Sequence, residues 1–387
     1  MAEITVLSFH IQILEHLFIW PKSSKSIINM CFIYLVCCLM FVTVMPCYWT
    51  IVFLGNYEIE DFLEASISIF NTFGYATAYY SLLKNKGVIE KIIKDINIFQ
   101  KYCPSNIIQG VDTKFTRLTK FLLIYIILGI FTNAVWKLIS IDSCKAERGA
   151  KLLKHDPCGL PSRTYFIFDV SKPEIFWFLF VLGNLCVLHI CLVFVMASSL
   201  FLGLLAHIST QLTYCAHKFE TFNYQQEWTT LNKDFLIYVN YHRAILTYAK
   251  DVFRIFRSTI DVYITITSVS IAIIGYQIVT SKDLDKRFVF TMLLCGWQII
   301  FFLICNSIQH VQDKSISVSD ALYNSKWTTK LDKTSLRLNI VMVISRAQKP
   351  ISYAIPCIGV MTLERFLAIV KSSYSIFTLL VTTTDMN

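Results

Sequence analysis

Charge is scarce in this chain of 387 residues: Asp, Glu, Lys and Arg make up 16% of it, where soluble domains carry about 25%. Signatures of catalysis are missing too. No two glycines stand two residues apart, which excludes a Gly-x-Gly-x-x-Gly phosphate loop, and neither Gly-x-Ser-x-Gly nor His-Glu-x-x-His occurs. The eight histidines fall in no metal-ligand spacing. Although the formal charge is +9, no basic patch interleaves with aromatics, so nucleic acid is not an expected partner. Repeats, Gly/Ser linkers and low-complexity segments are absent, which leaves residues 1–387 as one domain. Thirteen cysteines are too few for a disulfide scaffold, and most, such as Cys31, Cys37, Cys38, Cys186 and Cys191, sit in apolar runs as small hydrophobes. An enzyme is not expected, nor any cofactor or metal.

What is abundant is apolar sequence. Hydrophobic residues make up 55% of the chain and aromatics 14%, with a mean hydropathy of +0.56. The class this implies is an all-α membrane protein. The runs predict seven transmembrane helices, at about 27–54, 62–83, 118–141, 174–205, 259–281, 288–311 and 361–381. Lys120 and Lys137, near the ends of the third, are placed to snorkel. Because no charge interrupts the stretch between Glu174 and Lys218, the fourth helix should project beyond the bilayer as a cytosolic extension. Residues 1–26 read as a short amphipathic helix on the membrane surface around Phe9, Ile13, Leu17 and Trp20. Lys and Arg number 22 on the side of the N-terminus and nine on the other, so the N-terminus is expected in the cytosol and the C-terminus outside. That is opposite to a G-protein-coupled receptor, and the chain contains no Asn-Pro pair for that family's last span.

The last span is unusual in carrying Lys371, Ser373, Tyr374 and Ser375 half-way through. Ionisable groups at that depth are costly and face protein or water, although a lysine that merely snorkels is the plainer reading. On a helix Lys371, Ser375 and Thr378 share a face. With Tyr374 they are candidate pore-lining residues, and Glu364 is a possible counter-charge for Lys371.

The outer halves of several spans carry Phe70, Phe73, Trp136, Trp177, Phe180, Met292 and Trp297. Singly each reads as part of an interfacial aromatic belt. Together they suggest an apolar pocket for a small organic molecule, with Thr132, Asn133 or Asn184 as polar handle. His189 and His207 read as hydrogen-bonded packing residues. Cys144 and Cys158 share one predicted outer loop, where a disulfide is redox-permitted, and Pro157, Gly159 and Pro161 make that loop turn-rich.

The order Ala321-x-Tyr323-x-Ser325-x-Trp327, Arg337, Arg346-x-Gln348-Lys349-Pro350, Leu363-x-x-Phe366-x-x-Ile369-x-Lys371-x-Ser373-Tyr374-Ser375-x-Phe377-Thr378-Leu379-Leu380 resembles the insect odorant receptors. So does His242-x-x-Ile245-Leu246 leading to Val252-Phe253. The gustatory relatives carry a Gln-Phe signature that this chain lacks. The resemblance implies a ligand-gated, non-selective cation channel in the plasma membrane of olfactory sensory neurons. It further implies a tetramer that includes a co-receptor subunit and opens for volatile odorants. The helical extensions would form a cytosolic subunit anchor holding His242, Tyr323, Trp327, Arg337, Arg346, Gln348, Lys349 and Pro350. The short segment 218–257 marks a ligand-tuning subunit rather than the co-receptor. A gustatory-type channel, a G-protein-coupled receptor and a transporter are the competing readings.

Overall fold

The computed structural model describes residues 6–17, 19, 20, 42, 44–53, 59–147, 153–162, 164–281, 284–330, 334–355 and 358–385. Most of the first expected span and Pro356 therefore lie outside the described residues. The elements are α1 (Ser8–His16), α2 (Val44–Phe53), α3 (Ile59–Asp95), a 3₁₀ turn (Ile96–Lys101), α4 (Ser105–Ile139), α5 (Ile141–Glu147), α6 (Pro173–Glu220), α7 (Trp228–Thr280), α8 (Leu284–Asn324), α9 (Trp327–Lys330), α10 (Thr334–Ala347) and α11 (Leu363–Asp385). Between the last two lies an antiparallel pair of two-residue strands, β1 (Ala354–Ile355) and β2 (Gly359–Val360). Among the described residues the regular structure is otherwise helical, as the composition led one to expect.

Local chemistry explains the long helices. Pro173 occupies the first turn of α6, where its missing N–H costs nothing. Glu174 in that turn and His217 and Lys218 in the last complement the helix dipole. At 1.5 Å per residue, the 48 residues of α6 and 53 of α7 reach roughly 72 and 80 Å, far more than the ~30 Å of a bilayer core. The extension expected for the fourth helix is therefore shared by the fifth. Among the described residues four helices are long and apolar enough to cross a membrane by length and composition: α4, α6, α7 and Arg287–Asn324 of α8. Only 6% of the apolar window of α4 is buried, and Ile124, Phe131 and Ile139 lie exposed on it. So large an unburied apolar surface needs lipid.

α6 is the central post. Its residues from Val193 to Leu205 are all buried, packed among α3, α4, α7 and α8. Phe194 meets Tyr263 of α7 and Trp297 of α8 with ring centroids 5.9 Å apart in both cases, and those two rings stack at 5.6 Å. Gly74 lets α3 close on this cluster, since a Cβ there would stand 2.6 Å from Ile266 Cδ1 and 2.7 Å from Phe194 Cζ. Gly74→Leu is expected to lower stability by about 3 kcal/mol through overpacking, read as a fall in melting temperature of the detergent-solubilised protein. An unchanged melting temperature would show that α3 can retreat.

The N-terminal helix does not lie on a surface. Leu7, Leu14, Ile19 and Trp20 are buried, and Leu7 fills the space that Gly203 of α6 leaves open, with its Cδ2 2.9 Å from where a Cβ would stand. The Leu7 N–H donates to Asp112 Oδ1 at 2.8 Å, and His10 Nε2 bonds Thr119 Oγ1 at 2.8 Å. The amphipathic pattern was legible, but the apolar face found a protein groove instead of lipid.

At the opposite end of the bundle Cys144 and Cys158 are joined, with Cα atoms 5.9 Å apart, closing 14 residues of chain. Immediately after Cys158, Gly159 takes φ +96°, with a virtual Cβ 2.8 Å from Ile141 Cγ1. By loop-closure entropy, Cys144→Ser is expected to cost about 3 kcal/mol, measured as a shift in thermal midpoint that dithiothreitol reproduces in the unmutated chain.

Candidate functional site

Toward the disulfide end, α3, α4, α6, α7 and α8 leave a cavity of about 300 Å³ between them. One face of α4 supplies much of its wall: Leu122, Tyr125, Ile126, Gly129, Ile130, Asn133, Trp136 and Lys137 recur at helical spacing. Trp297, Tyr263 and Phe194 close the inner end, while Pro161 and Ser162 of the loop line it as well.

Five of the residues anticipated from sequence line this cavity: Thr132, Asn133, Trp136, Met292 and Trp297. Thr132 offers no free donor, because its hydroxyl donates back to Leu128 O at 2.7 Å. Phe70, Phe73, Trp177, Phe180 and Asn184 stand outside the lining. Phe70, Phe73 and Trp177 are exposed on the bundle's outer face. Phe180 and Trp177 pack edge to face, 5.7 Å apart, next to the cluster of Leu160, Phe166, Val170 and Leu179. Asn184 Nδ2 donates to Phe180 O at 2.8 Å. The sequence could not fix which way each of these aromatics faces.

Several lining groups were missed. Lys137, expected to snorkel, instead pairs with Glu64 of α3 at 3.2 Å and lies over the Trp136 ring at 5.5 Å. Opposite charges in two neighbouring spans were the available signal. Tyr125 Oη donates to Met292 O at 2.5 Å, tying α4 to α8 across the wall. Asn71 Oδ1 and Gln277 Oε1 are buried without a hydrogen-bond partner among the described residues, two acceptors lining the same cavity. The site is thus an apolar chamber with two unspent carbonyl oxygens and one ion pair. Catalysis has no nucleophile–base pair to start from; reversible capture of a small apolar molecule is what such a chamber does well.

On α11, Ser373 is buried and donates to Ser268 O of α7 at 2.8 Å, and Phe366 packs on Phe301 and Phe302 of α8. Lys371, Tyr374 and Ser375 are exposed on the other side, with Thr378 half-buried. No ion pair joins Lys371 to Glu364 among the described residues. Of the anchor residues, His242 is buried, and burial, with Arg346 nearby, pushes its imidazole down to about 4. Trp327 is half-buried, with Nε1 lacking a partner among the described residues. Arg337 reaches Thr328 O at 3.5 Å and Arg346 reaches Lys349 O at 3.4 Å. Tyr323, Gln348, Lys349 and Pro350 are exposed. His207, expected to be hydrogen bonded, is buried with neither ring nitrogen partnered among the described residues.

Comparison with known proteins gives one consistent answer. A family model described as 7tm Odorant receptor matches residues 58–374. The chain is 26% identical over 197 residues to Odorant receptor 67c of Drosophila melanogaster, a stretch covering 50% of this chain and 48% of that one. It is 36% identical over 70 residues to Odorant receptor Or2 of Anopheles gambiae, 18% of each chain. The aligned stretches thus span about half the length of these curated relatives or less. Among solved structures, the insect olfactory receptor OR5 from Machilis hrabei superposes with a TM-score of 0.76 at 15% identity over 97% of both chains. The same receptor in complex with eugenol gives 0.77 at 16%, over 97% of this chain and 98% of that one.

Proposed function

The chain belongs to the insect odorant receptor family, and from that premise we propose that it is the ligand-selective subunit of an odorant-gated cation channel. The cavity among α3, α4, α6, α7 and α8 carries this reading: its volume and apolar walls suit a volatile molecule. A receptor of the same fold has been solved in complex with eugenol. In this reading the odorant enters by hydrophobic transfer and binds better to the open arrangement of helices, so occupancy shifts the population toward conduction.

The remaining assignments follow the same premise. The N-terminus lies in the cytosol, with the C-terminus outside, in the plasma membrane of an olfactory sensory neuron. α11 lines the pore with Lys371, Tyr374, Ser375 and Thr378, which fits the exposure of the first three on the side turned away from α7 and α8. Tyr323 and Gln348-Lys349-Pro350 are exposed in the single chain, as residues awaiting subunit contact are. A co-receptor subunit completes the tetramer. The test is whole-cell current in cells expressing the chain with and without an insect co-receptor, under a panel of volatiles and blocked G-protein signalling. Odorant-evoked cation current that requires both subunits and survives the block is expected. Current abolished by the block would overturn the channel reading.

A further inference from the structure

The chamber between the helices holds polar atoms that an apolar guest would leave idle, and their state selects the guest. Asn71 of α3 and Gln277 of α7 lie within the second and fifth expected spans, where a side-chain amide without a partner costs free energy. Gln277 is only 6% exposed. Its Oε1 and Asn71 Oδ1 are both buried and accept no hydrogen bond among the described residues, and both residues line the cavity.

The hydroxyls of the wall do not relieve these oxygens. Ser68, Thr72, Tyr125 and Thr132 line the same chamber. They spend their protons on the backbone oxygens of Glu64, Ser68, Met292 and Leu128, which leaves each with lone pairs alone to offer. Tyr263 Oη, also in the wall and without a partner among the described residues, can donate or accept. The balance is a surplus of acceptors. Charged guests find no counter-charge waiting, because Lys137 Nζ and Glu64 Oε1 stand 3.2 Å apart and answer one another.

We propose that the cavity is tuned to neutral volatiles that carry a hydroxyl group, alcohols and phenols, whose O–H donates to Asn71 Oδ1 or Gln277 Oε1. The inference rests on the odorant reading above and narrows its ligand. A ketone, ester or ether of the same skeleton fills the same volume but brings only acceptors. It leaves both carboxamide oxygens buried and unpaired, the costlier outcome for a buried polar group. A hydroxyl can also take a bond from an amide N–H, so it satisfies either side of the carboxamide.

The test is a fluorescence titration of the purified full-length chain, since Trp136 and Trp297 line the cavity. The probes are three pairs of secondary alcohol and ketone that share every heavy atom: menthol with menthone, borneol with camphor, and a secondary octanol with its octanone. A Gly129→Phe chain, whose added ring enters the chamber, is the blank for partition into detergent. At least one alcohol is expected to bind about tenfold or more tightly than its ketone. Asn71→Leu/Gln277→Met, which replaces two unpartnered amides by apolar groups of similar size, should bring that ratio close to one. Comparing the ratio between the two chains cancels the different hydration of alcohol and ketone. Ketones bound as tightly as their alcohols, or an alcohol preference that survives in the double variant, would overturn the proposal and leave the odorant cavity standing. If none of the six binds above the blank, the cavity reading falls and takes this proposal with it.

Discussion

Gly129→Phe is expected to abolish the odorant response while leaving the protein folded. Gly129 lies on the α4 face that walls the cavity, and a Cβ built there meets nothing within 4 Å. A benzyl group would therefore grow into open space rather than into a neighbour. It would occupy a large part of a chamber of about 300 Å³, leaving too little room for a ligand of ten heavy atoms or so. We expect the evoked current to fall by at least a hundredfold, equivalent to about 3 kcal/mol of lost ligand binding, with surface expression unchanged. Gly129→Ala supplies the control: it stabilises the helix by up to about 1 kcal/mol and should leave the response nearly intact. A Gly129→Phe subunit that reaches the surface and still answers its odorant would place the ligand elsewhere.

Acidification should release the N-terminal helix. His10 and His207 are both buried, and burial pushes each imidazole down to about 4 from 6.5, with each histidine lying close to the other. A histidine whose folded pKa is depressed favours the neutral form. Its contribution is therefore full above pH 6.5 and is lost as the pH falls from 6.5 toward 4. At 1.36 kcal/mol per unit, that window removes about 3 kcal/mol for His10, and His207 acts in the same direction. One neighbouring group acts in the opposite direction. Asp112, which accepts the Leu7 N–H, has its carboxyl raised by burial, so its relief on protonation arrives only as the pH nears its raised value. Lys120 lies over the Phe9 ring and Lys86 over the Trp20 ring. Corrected for the slower intrinsic exchange in acid, hydrogen-exchange protection of residues 6–17 should fall steeply between pH 6.5 and 4 in the wild type. His10→Gln, which keeps a partner for Thr119 without a titrating group, should flatten that profile. An identical profile in the variant would trace the acid sensitivity to another group.

How much of this was readable in the sequence varies with the physics involved. Charge-free runs are one-dimensional facts, so the long fourth helix was visible in the gap between Glu174 and Lys218. The break after Ala347 was visible in Pro350, which cannot continue a helix. What the chain turns toward is a three-dimensional fact. Lys137 looked like a snorkelling residue because its partner, Glu64, is 73 positions away in another helix. Phe73 and Trp136 looked alike as aromatics of the outer half, yet one faces outward and the other lines the chamber. Glycines were uninformative until α3 and α6 were seen to use Gly74 and Gly203 for close approach. The family pattern in the last third of the chain depended on residue order, which is why it was legible while the pocket was not.

The connector between α10 and α11 is held on both sides. Ile351 N–H donates to Ser315 Oγ at 3.0 Å and Leu363 N–H to Gln309 Oε1 at 2.8 Å, both on α8, while Tyr353 Oη donates to Asp261 Oδ1 of α7 at 2.7 Å. Between them Gly359, at φ +94°, lets the chain double back into the β1–β2 pair. The foot of α11 is thus a fulcrum riveted to two neighbours, and the 23-residue helix above it is a beam about 34 Å long. A tilt of roughly 5° at such a hinge sweeps the far tip through about 3 Å, a sideways travel larger than a water molecule's radius, for a displacement at the root too small to break any of the three bonds that hold it.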